Sequence, residues 1–404
     1  MQISDIAREA EGMAPELVAV RREIHRYPEL SFEEERTSRL VVRELAGLGL
    51  ELEESFGGST AVVAILRRGS SRGSPRNLVL RADMDALDIQ EESGLPFASE
   101  RPGLMHACGH DAHTAALIGA ARLLSRHRDE LEGEVRFVFQ PGEEDGRGAR
   151  FLIERGLLDD PPADGAFAQH ADPGLPAGRI SVREGTVFAS GAGFALRVQG
   201  KGGHPGLPHQ TVDAIVVAAQ IVQALQLLAS RQADPRKPFT LGIGTIRGGT
   251  RANVIADSAE LTGTMRAFDS EIVEWAAEGI ERIASRTAEA FGASCRTETR
   301  LGGLPLVNDP AMVTLARGAV GAAIGKDRLT AGTPILAGED FALFAEKVPS
   351  AMLMLGVGHR GRENFPLHHP RFDIDEAAVP VGAAALASCA LAFLAPGNTQ
   401  GGLS

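Results

Sequence analysis

The feature that most constrains this 404-residue chain is the placement of its metal-binding side chains in separate clusters, each after a predicted strand or before a predicted helix. The clusters are Cys108-Gly109-His110, Glu143-Glu144, His170 and His368-His369. In an open α/β sheet, the loops that follow the strands converge at the carboxyl edge, where ligands bind. The sequence therefore predicts one hydrolytic site for two metal ions, assembled from distant parts of the chain.

Strand and helix patterns alternate through the first 184 residues, which predicts an α/β domain with a parallel or mixed sheet and helices on both faces. Beyond Arg183 the order becomes strand, helix, two strands, helix and strand, which is typical of a split β-α-β, ferredoxin-like α+β unit. The first pattern resumes near Leu304. We therefore predict a mixed-sheet catalytic domain formed by residues 1–184 and 300–404, with an inserted lid domain at residues 185–299.

Three predicted helices bear on the fold and on assembly. Residues 3–26 are predicted to form one opening helix, and residues 114–127 an apolar helix. In the insert, residues 212–230 are apolar nearly all round, apart from glutamines at every third position. Two apolar faces must each be buried, one against the sheet of the insert and the other against a second subunit. This predicts a homodimer or a higher oligomer. One buried face with a neutral solvent stripe explains the pattern equally well.

Composition limits the partners of the chain. A hydrophobic share of 44% and a charged share of 23% are typical of a globular protein, and a net charge of −12 argues against a nucleic-acid partner. The N-terminus lacks the pattern of a signal peptide, and the apolar residues 380–394 are fewer than the roughly 20 needed to span a membrane. Three widely spaced cysteines do not form a disulfide framework. We expect a cytoplasmic protein without a membrane partner.

The residue types in the clusters determine which chemistry they can perform. A thiolate, neutral imidazoles and a carboxylate together bind Zn²⁺, Mn²⁺ or a similar divalent ion such as Co²⁺ or Ni²⁺, and the thiolate favours Zn²⁺. Two such ions, roughly 3.5–4 Å apart, can turn a water into a nucleophile at neutral pH. Adjacent side chains diverge, so one residue of the Glu143-Glu144 pair can bind metal while the other acts as a general base.

Each cluster also has a structural explanation when it is taken alone. Cys108 and His110 are consistent with a buried thiol beside a capping histidine, and the glutamate pair with a solvated turn. Asp83 and Asp85, which follow another strand, are consistent with caps of the next segment. Structural roles are favoured for three further histidines, His113, His209 and His369. The agreement of independent placements nevertheless favours one shared site.

Five motifs together resemble the metal-dependent amidohydrolases that include hippurate hydrolase, N-acyl-amino-acid deacylases and the plant indole-acetyl-amino-acid hydrolases. They lie at residues 81–87, 105–113, 140–144, 200–204 and 367–370. The resemblance extends from His25 to the C-terminal helix. Acetylornithine deacetylase and succinyl-diaminopimelate desuccinylase, more distant relatives, carry histidine in place of Asp83 and aspartate in place of Cys108. The chain therefore resembles the cysteine-containing subgroup.

The resemblance implies a catalytic domain with two metal ions and an inserted lid domain that commonly dimerises. The metal ligands that it implies are Cys108, His110, Glu144, His170 and His368. Glu143 would be the base that activates water and then protonates the leaving amine, and Asp85 is assigned a catalytic role beside it. On the lid, His204 resembles the histidine that reaches toward the oxyanion of the scissile carbonyl. Asn253 and Arg266 resemble residues that hold the carboxylate of the substrate.

We therefore predict a metal-dependent amidohydrolase that cleaves N-acyl-amino acids, of the hippurate or N-acetyl type, into a carboxylate and a free amino acid. A dipeptidase or carboxypeptidase of the same fold is the alternative among hydrolases. A metal-bearing binding protein without turnover is the alternative from another class, although the base, the ligands and the lid histidine argue against it. Asp88 and residues 191–193 depart from the subgroup without involving a proposed ligand, so they affect the expected substrate rather than the chemistry.

Overall fold

The computed structural model describes residues 3–67 and 76–396 of the chain. The α-helices are α1 Ile3–Gly12, α2 Ala14–Arg26, α3 Glu35–Leu45, α4 His110–Arg126, α5 Gly148–Ile153, α6 Ala214–Leu227, α7 Ser270–Ala290, α8 Pro310–Ile324, α9 Ala342–Lys347 and α10 Ala378–Phe393. The strands are β1 Glu51–Glu54, β2 Val62–Arg67, β3 Asn77–Asp83, β4 Glu134–Gln140, β5 Gly165–Pro176, β6 Ile180–Ser181, β7 Gly185–Phe188, β8 Ser190–Gln199, β9 Phe239–Gly248, β10 Ser258–Ala267, β11 Ser294–Leu301, β12 Leu306–Asn308, β13 Leu329–Thr330 and β14 Ser350–Gly358.

The described residues form two compact units. The first comprises the chain up to Val187, then Val307–Thr333, and then the residues from Asp340 onward. The second comprises Phe188–Leu306 and the short segment Pro334–Glu339. The domain limits expected from the sequence, with the insert at residues 185–299, stay a prediction.

A mixed eight-stranded sheet forms the centre of the first unit, with strand order β1-β2-β4-β3-β5-β14-β6-β13. Strands β4, β3, β5 and β14 are parallel to one another, whereas β2 and β6 pair antiparallel with β4 and β14. Strands β3 and β4 are buried along their whole length, as expected for strands covered on both faces. The carboxyl ends of the parallel strands therefore meet along one edge, and the predicted mixed-sheet α/β fold is confirmed.

Helix α4 is the buried helix that begins at this edge. Every residue from His110 to Ala121 is buried, because α2 and α10 pack against the helix as well as the sheet. Gly119 permits this close packing, since a Cβ at that position would come within 2.7 Å of the Cβ of Ala383 in α10. A helix enclosed in this way holds the residues at its start in fixed positions.

Two predicted helices have different bounds in the structure. The prediction of a single helix at residues 3–26 was wrong, because the segment is divided into α1 and α2. Pro15 lies in the first turn of α2, where a missing N–H is tolerated, but it cannot continue the hydrogen bonds of α1. The helix predicted at residues 114–127 begins earlier, at His110, directly after Gly109 in the left-handed conformation with φ 88°.

The second unit contains a four-stranded antiparallel sheet with strand order β11-β8-β10-β9. Helices α6 and α7 pack on one face of the sheet and form a second hydrophobic core with Phe194, Leu196 and Leu261. The chain order β8-α6-β9-β10-α7-β11 is that of the split β-α-β topology predicted from the sequence. Burial alternates along β10, so its other face is exposed.

Helix α6 continues into the short π-helix Leu228–Gln232, and together they form the one stretch of the described chain long and apolar enough to cross a membrane. Its buried residues Val217, Ile221 and Leu225 belong to the core of the second unit. We therefore interpret Ala214–Gln232 as a helix of a folded domain that packs one face against the core of the second unit. The predicted helix at residues 380–394 corresponds to α10, which is buried on nearly all sides, as expected.

Candidate metal centre

The parallel strands of the first unit bring the predicted clusters to one edge of the sheet. Strand β3 ends at Asp83, which pairs in register with Gln140 at the end of β4. In β5, Ala168 pairs with Arg81 of β3, and His170 follows just beyond it. Asp83, His170 and the loop after Gln140 therefore lie at the same level of the sheet.

Five side chains predicted to be ligands lie close together at this edge. Cys108, His110 and His170 form one group whose possible ligand atoms all lie within 4.8 Å of one another, and Cys108, Glu144 and His368 form another. Cys108 Sγ lies 3.6 Å from His170 Nε2. Glu144 Oε1 lies 3.8 Å from His110 Nε2 and 3.4 Å from His368 Nε2. Cys108 belongs to both groups, so the structure brings all five residues together.

Hydrogen bonds to backbone carbonyls orient the two buried histidines of the cluster. His110 Nδ1 lies 2.9 Å from the carbonyl oxygen of Asp85, and His170 Nδ1 lies 2.9 Å from that of Ala171. Because a carbonyl oxygen only accepts, each ring carries its proton on Nδ1 and turns the Nε2 lone pair toward the cluster. Backbone or carboxylate partners of this kind are usual for histidines that bind metals.

His368 reaches the cluster from a different segment and has an unusual backbone. Its φ is 62°, a left-handed conformation that is strained for a residue with a side chain, and such strain concentrates at functional sites. Its N–H donates to the carbonyl oxygen of Ala107 at 2.8 Å, which ties the segment to the residue before Cys108. Unlike the other two histidines, His368 is exposed.

The electrostatics of the cluster favour a positive charge at its centre. Burial opposes a charge on His110, yet the carboxylate of Asp83 and the neighbouring Cys108 raise its pKa well above the usual value. Burial raises the pKa of the Cys108 thiol well above its ordinary range, so the thiolate needs a neighbouring cation. Burial lowers the pKa of His170 to about 3, which keeps the imidazole in its neutral, metal-binding form.

Two buried atoms at the centre of the cluster also lack a hydrogen-bond partner within the described part of the chain, and a bound metal ion would fill that role. Among the described residues, neither His110 Nε2 nor Glu144 Oε1 has a hydrogen-bond partner of acceptable geometry. Buried polar atoms are otherwise almost always paired. With one thiolate, three imidazoles and a carboxylate around them, the residues fit divalent metal ions.

Asp83 lies behind the cluster with both carboxylate oxygens engaged. Oδ1 lies 2.6 Å from His113 Nδ1, and Oδ2 accepts from Arg81 Nη1 at 2.6 Å. Burial opposes the charged form, but His110 and Arg81 hold the pKa of Asp83 well below its usual range. His113 Nε2 accepts the N–H of Ala171 at 2.8 Å, so both of its ring nitrogens are occupied. This arrangement supports the structural role predicted for His113.

Glu143 and Glu144 lie in the loop between β4 and α5, and they are partly buried rather than in a solvated turn. A carboxylate oxygen of Glu143 lies within 4.8 Å of ligand atoms of both His110 and Glu144, and Glu143 Oε1 lies 3.4 Å from the N–H nitrogen of Asp340. Asp85 Oδ2 accepts the N–H of Glu144 at 2.9 Å. Asp85 thus hydrogen-bonds two proposed ligands, Glu144 through its carboxylate and His110 through its backbone carbonyl. Its catalytic role stays a prediction.

A buried network of charges lies next to the cluster, and its members come from separate segments of the sequence. Arg21 Nε donates to Asp111 Oδ2 at 2.7 Å, and His25 Nδ1 lies 2.8 Å from the same oxygen. His25 Nε2 lies 3.2 Å from Glu91 Oε1. Asp111 directly follows His110, so the network joins α2 to the end of α4 that contributes a ligand.

Replacing Asp111 with alanine is expected to destabilise the first unit by about 3–5 kcal/mol, because the fully buried Arg21 would lose its buried carboxylate partner and keep only the 3.2 Å ion pair with the partly exposed Glu376. Denaturant unfolding followed by circular dichroism measures the change. As a control, Arg39→Ala removes an exposed ion pair with Glu35 in α3 and should change stability by less than about 1 kcal/mol. Similar small losses in the two variants would contradict the stabilising role of the buried network.

The three lid residues named from the sequence lie in the second unit, and all are exposed. His204 Nδ1 accepts the N–H of Gly206 at 3.0 Å, so the neutral ring carries its proton on Nε2, where it can donate. Arg266 lies on the exposed face of β10 and pairs in register with Gly191 of β8. Asn253 lies in the turn between β9 and β10. Their roles in binding and catalysis stay predictions.

The chain is similar to known proteins over most of its length. Residues 79–392 match the family described as Peptidase family M20/M25/M40. The chain is 39% identical to N-acetylcysteine deacetylase of Bacillus subtilis over 94% of this chain and 97% of that protein. It is also 39% identical to thermostable carboxypeptidase 1 of Saccharolobus solfataricus, over 93% and 95%. The crystal structure of a dinuclear metal-binding peptidase of the M20 family from Bacillus subtilis matches with a TM-score of 0.82 and 36% identity, covering 95% of this chain and 99% of that one.

The fold and the donor groups together define a metal-dependent hydrolase of amides whose site accommodates two divalent metal ions. The chain belongs to Peptidase family M20/M25/M40. The resemblance to the amidohydrolases that its motifs indicated is thereby confirmed.

Proposed function

We propose that the chain hydrolyses the amide bond of N-acyl-amino acids, releasing a carboxylic acid and a free amino acid. The observation that carries the proposal is the position of Glu143. Its carboxylate lies beside the proposed ligands His110 and Glu144, but Glu143 belongs to neither of the two ligand groups that contain Cys108. The similarity to an N-acetylcysteine deacetylase supports an N-acyl-amino acid as the substrate.

The first unit would supply the hydrolytic chemistry. Bound divalent ions polarise a scissile carbonyl and make water more acidic. The residues that would hold them are Cys108, His110, Glu144, His170 and His368. Glu143 accepts the proton of the attacking water and delivers it to the leaving amine, so one carboxylate serves as base and then as acid. The N–H of Asp340, next to Glu143 Oε1, keeps that carboxylate oriented.

The second unit would supply substrate binding. His204, with its proton on Nε2, donates to the carbonyl oxygen of the amide as that oxygen gains negative charge. Arg266 and Asn253 bind the carboxylate of the amino acid, a task for which the planar guanidinium of arginine is well suited. Both side chains are exposed and therefore accessible to a small ligand.

We propose Zn²⁺ or Mn²⁺ as the metal, with Co²⁺ or Ni²⁺ as possible substitutes. The thiolate of Cys108 favours Zn²⁺, whereas carboxylate and imidazole ligands also suit Mn²⁺. Because Cys108 must stay reduced to bind either ion, and the three cysteines of the chain are free, we also propose a cytoplasmic location.

The direct test is metal analysis of the purified chain, followed by a panel of N-acetyl-amino acids, N-benzoyl-amino acids and dipeptides. The proposal expects two divalent ions per chain and hydrolysis of the N-acyl substrates. Preferential cleavage of dipeptides would favour the second candidate, a dipeptidase or carboxypeptidase, which the similarity to a thermostable carboxypeptidase supports. A metal-loaded chain that hydrolyses no amide would indicate a binding protein.

We also propose that the second unit forms a homodimer through α6 and the edge strand β9. Ile215, Val216 and Leu227 of α6 are exposed large hydrophobic residues, and Ile246 of β9 is another. Strand β9 lies at the edge of its sheet, so its outer backbone groups can pair with a further strand. A second copy of the chain would cover the apolar helix face and the strand edge together.

Substituting lysine for both Val216 and Ile246 is expected to convert the dimer into a monomer, because the apolar contact would have to bury two charges. Light scattering coupled to gel filtration measures the mass. Leu301→Lys, at an exposed position on the opposite edge strand β11, is the matched control and should leave the dimer intact. A dimer that persists in the double variant would contradict this interface.

A further inference from the structure

The loop that contains Glu143 is held by carboxylates on both sides of that residue. Gly142 N, before it, donates to Glu34 Oε1 at 3.0 Å. Glu144 N, after it, donates to Asp85 Oδ2 at 2.9 Å, and Ser31 Oγ donates to the same oxygen at 2.8 Å. Of the two peptide groups that flank the proposed base, one is therefore bonded directly to Glu34 and the other is linked to Ser31 through Asp85.

Glu34 is a buried carboxylate that takes no part in the chemistry proposed above. Its Oε1 accepts the N–H of Phe32 as well as that of Gly142, each at 3.0 Å, and its Oε2 accepts from Thr60 Oγ1 at 2.5 Å. A buried carboxylate is tolerated when both of its oxygens are paired in this way. One side chain thus connects three separate segments: its own turn, the residues just before β2 and the loop that contains Glu143.

Both Phe32 and Gly142, which meet beside Glu34, have a left-handed backbone conformation. Phe32 has φ 65°, a conformation that is costly for residues other than glycine. Gly142 has φ 67°, and a Cβ there would collide with the ring of Phe32. The turn at Phe32 therefore packs directly on the peptide that precedes Glu143. Strain of this kind persists only where the surrounding contacts enforce it.

We propose that Glu34 is a positioning residue for the general base, which it orients by fixing the peptide N–H of Gly142. The inference rests on the proposed role of Glu143. It also defines a function for the turn at residues 31–34, which lies far from the metal-binding motifs in the sequence.

An uncharged side chain at position 34 can make the same hydrogen bonds. Burial raises the pKa of Glu34 to about 7. A glutamine at this position can accept the two N–H groups with its carbonyl oxygen and donate its amide to Thr60 Oγ1. An aspartate keeps the charge but is one methylene shorter, so it cannot reach Phe32, Gly142 and Thr60 together. Glu34→Gln therefore tests whether the charge of the side chain is needed, and Glu34→Asp tests whether its length is needed.

Glu29 provides a matched control in the same segment. It is also buried and also accepts three hydrogen bonds, from Arg36 N at 3.0 Å, Thr37 N at 2.8 Å and Thr37 Oγ1 at 3.0 Å. All of these donors belong to α3, and none belongs to the loop of Glu143. Glu29→Asp therefore reports the general cost of shortening a buried carboxylate in this segment.

The experiment compares kcat, KM, metal content and melting temperature of the four full-length chains with an N-acyl-amino-acid substrate. Glu34→Asp is expected to lower kcat by about 10–100-fold with KM and metal content unchanged, because a small misplacement of a catalytic group is sufficient for such losses. Glu34→Gln is expected to retain most of the kcat. Glu29→Asp is expected to lower the melting temperature but not kcat.

Three results would overturn the inference: wild-type kcat in Glu34→Asp, an equal loss in Glu29→Asp, or a loss in Glu34→Gln as large as in Glu34→Asp. If Glu34→Asp does not fold, Thr60→Val replaces it, since this change removes one hydrogen bond to Glu34 and leaves Glu34 itself in place. An unchanged kcat in Thr60→Val would then count against the inference.

Glu143→Gln is assayed in parallel. If it is active, the base assignment and this inference fail together; if it is inactive beside a fully active Glu34→Asp, only this inference fails.

Discussion

Replacing Glu143 with glutamine is expected to lower kcat by about 10²–10⁴-fold, the contribution typical of a general acid–base residue. Glutamine keeps the size of the side chain but cannot accept the proton of the attacking water. The change in KM is expected to be small, because Glu143 is not among the residues proposed to bind the substrate. Steady-state kinetics with a substrate from the N-acyl-amino-acid panel measures both values.

Metal content distinguishes a lost base from a lost ligand. Glu143→Gln should retain two metal ions per chain, whereas Glu144→Gln, one residue along, should lower both metal content and activity because Glu144 lies among the proposed ligands. The two variants remove the same chemical group from the same loop and are therefore a matched pair. A Glu143→Gln chain that is fully loaded with metal and still active would refute the assigned base.

Replacing Cys108 with alanine is expected to reduce the bound metal below two ions per chain and to lower kcat/KM by more than about 10²-fold. Loss of a residue that merely supports a metal ligand already costs about 10–100-fold, and Cys108 belongs to both groups of proposed ligands. Elemental analysis and kinetics on the same preparation measure the two effects together.

Cys389→Ala is the matched control for this experiment. Cys389 is also buried and free, but it lies in α10 among apolar residues. Burial raises the pKa of its thiol, as expected for a cysteine that serves only in packing. The variant should keep its metal and its activity, with a modest loss of stability. Full metal content in Cys108→Ala, or equal losses in the two variants, would exclude Cys108 as a ligand.

Local patterns were sufficient to predict the elements that shape the site. Alternating strands and helices predicted a mixed α/β fold, and the order of elements in the insert predicted the split β-α-β unit. The position of each cluster relative to a strand end predicted that Cys108, Glu144 and His170 would meet, because parallel strands end at the same edge. These predictions depend on neighbours in the sequence and on a general rule of sheet geometry.

Helix boundaries were less predictable, because they depend on single backbone conformations. The apolar pattern placed the start of α4 after the cluster, whereas the structure begins it at His110 itself. A side chain at position 109 would strain the left-handed conformation of Gly109, and its Cβ would come within 2.9 Å of the Cβ of Ala171. Only the packed structure supplies that neighbour.

The sequence by itself determined the chemistry of this protein: which donor groups are present, in what order, and on which kinds of element they lie. The tertiary structure alone decided which groups support them, as with Glu34 beneath the loop of Glu143 and Arg21 beside Asp111. The physical reason is that a hydrogen bond between residues 34 and 142, or 21 and 111, leaves no periodic pattern in the chain. Such bonds form only after the folded core has brought distant segments within about 3 Å.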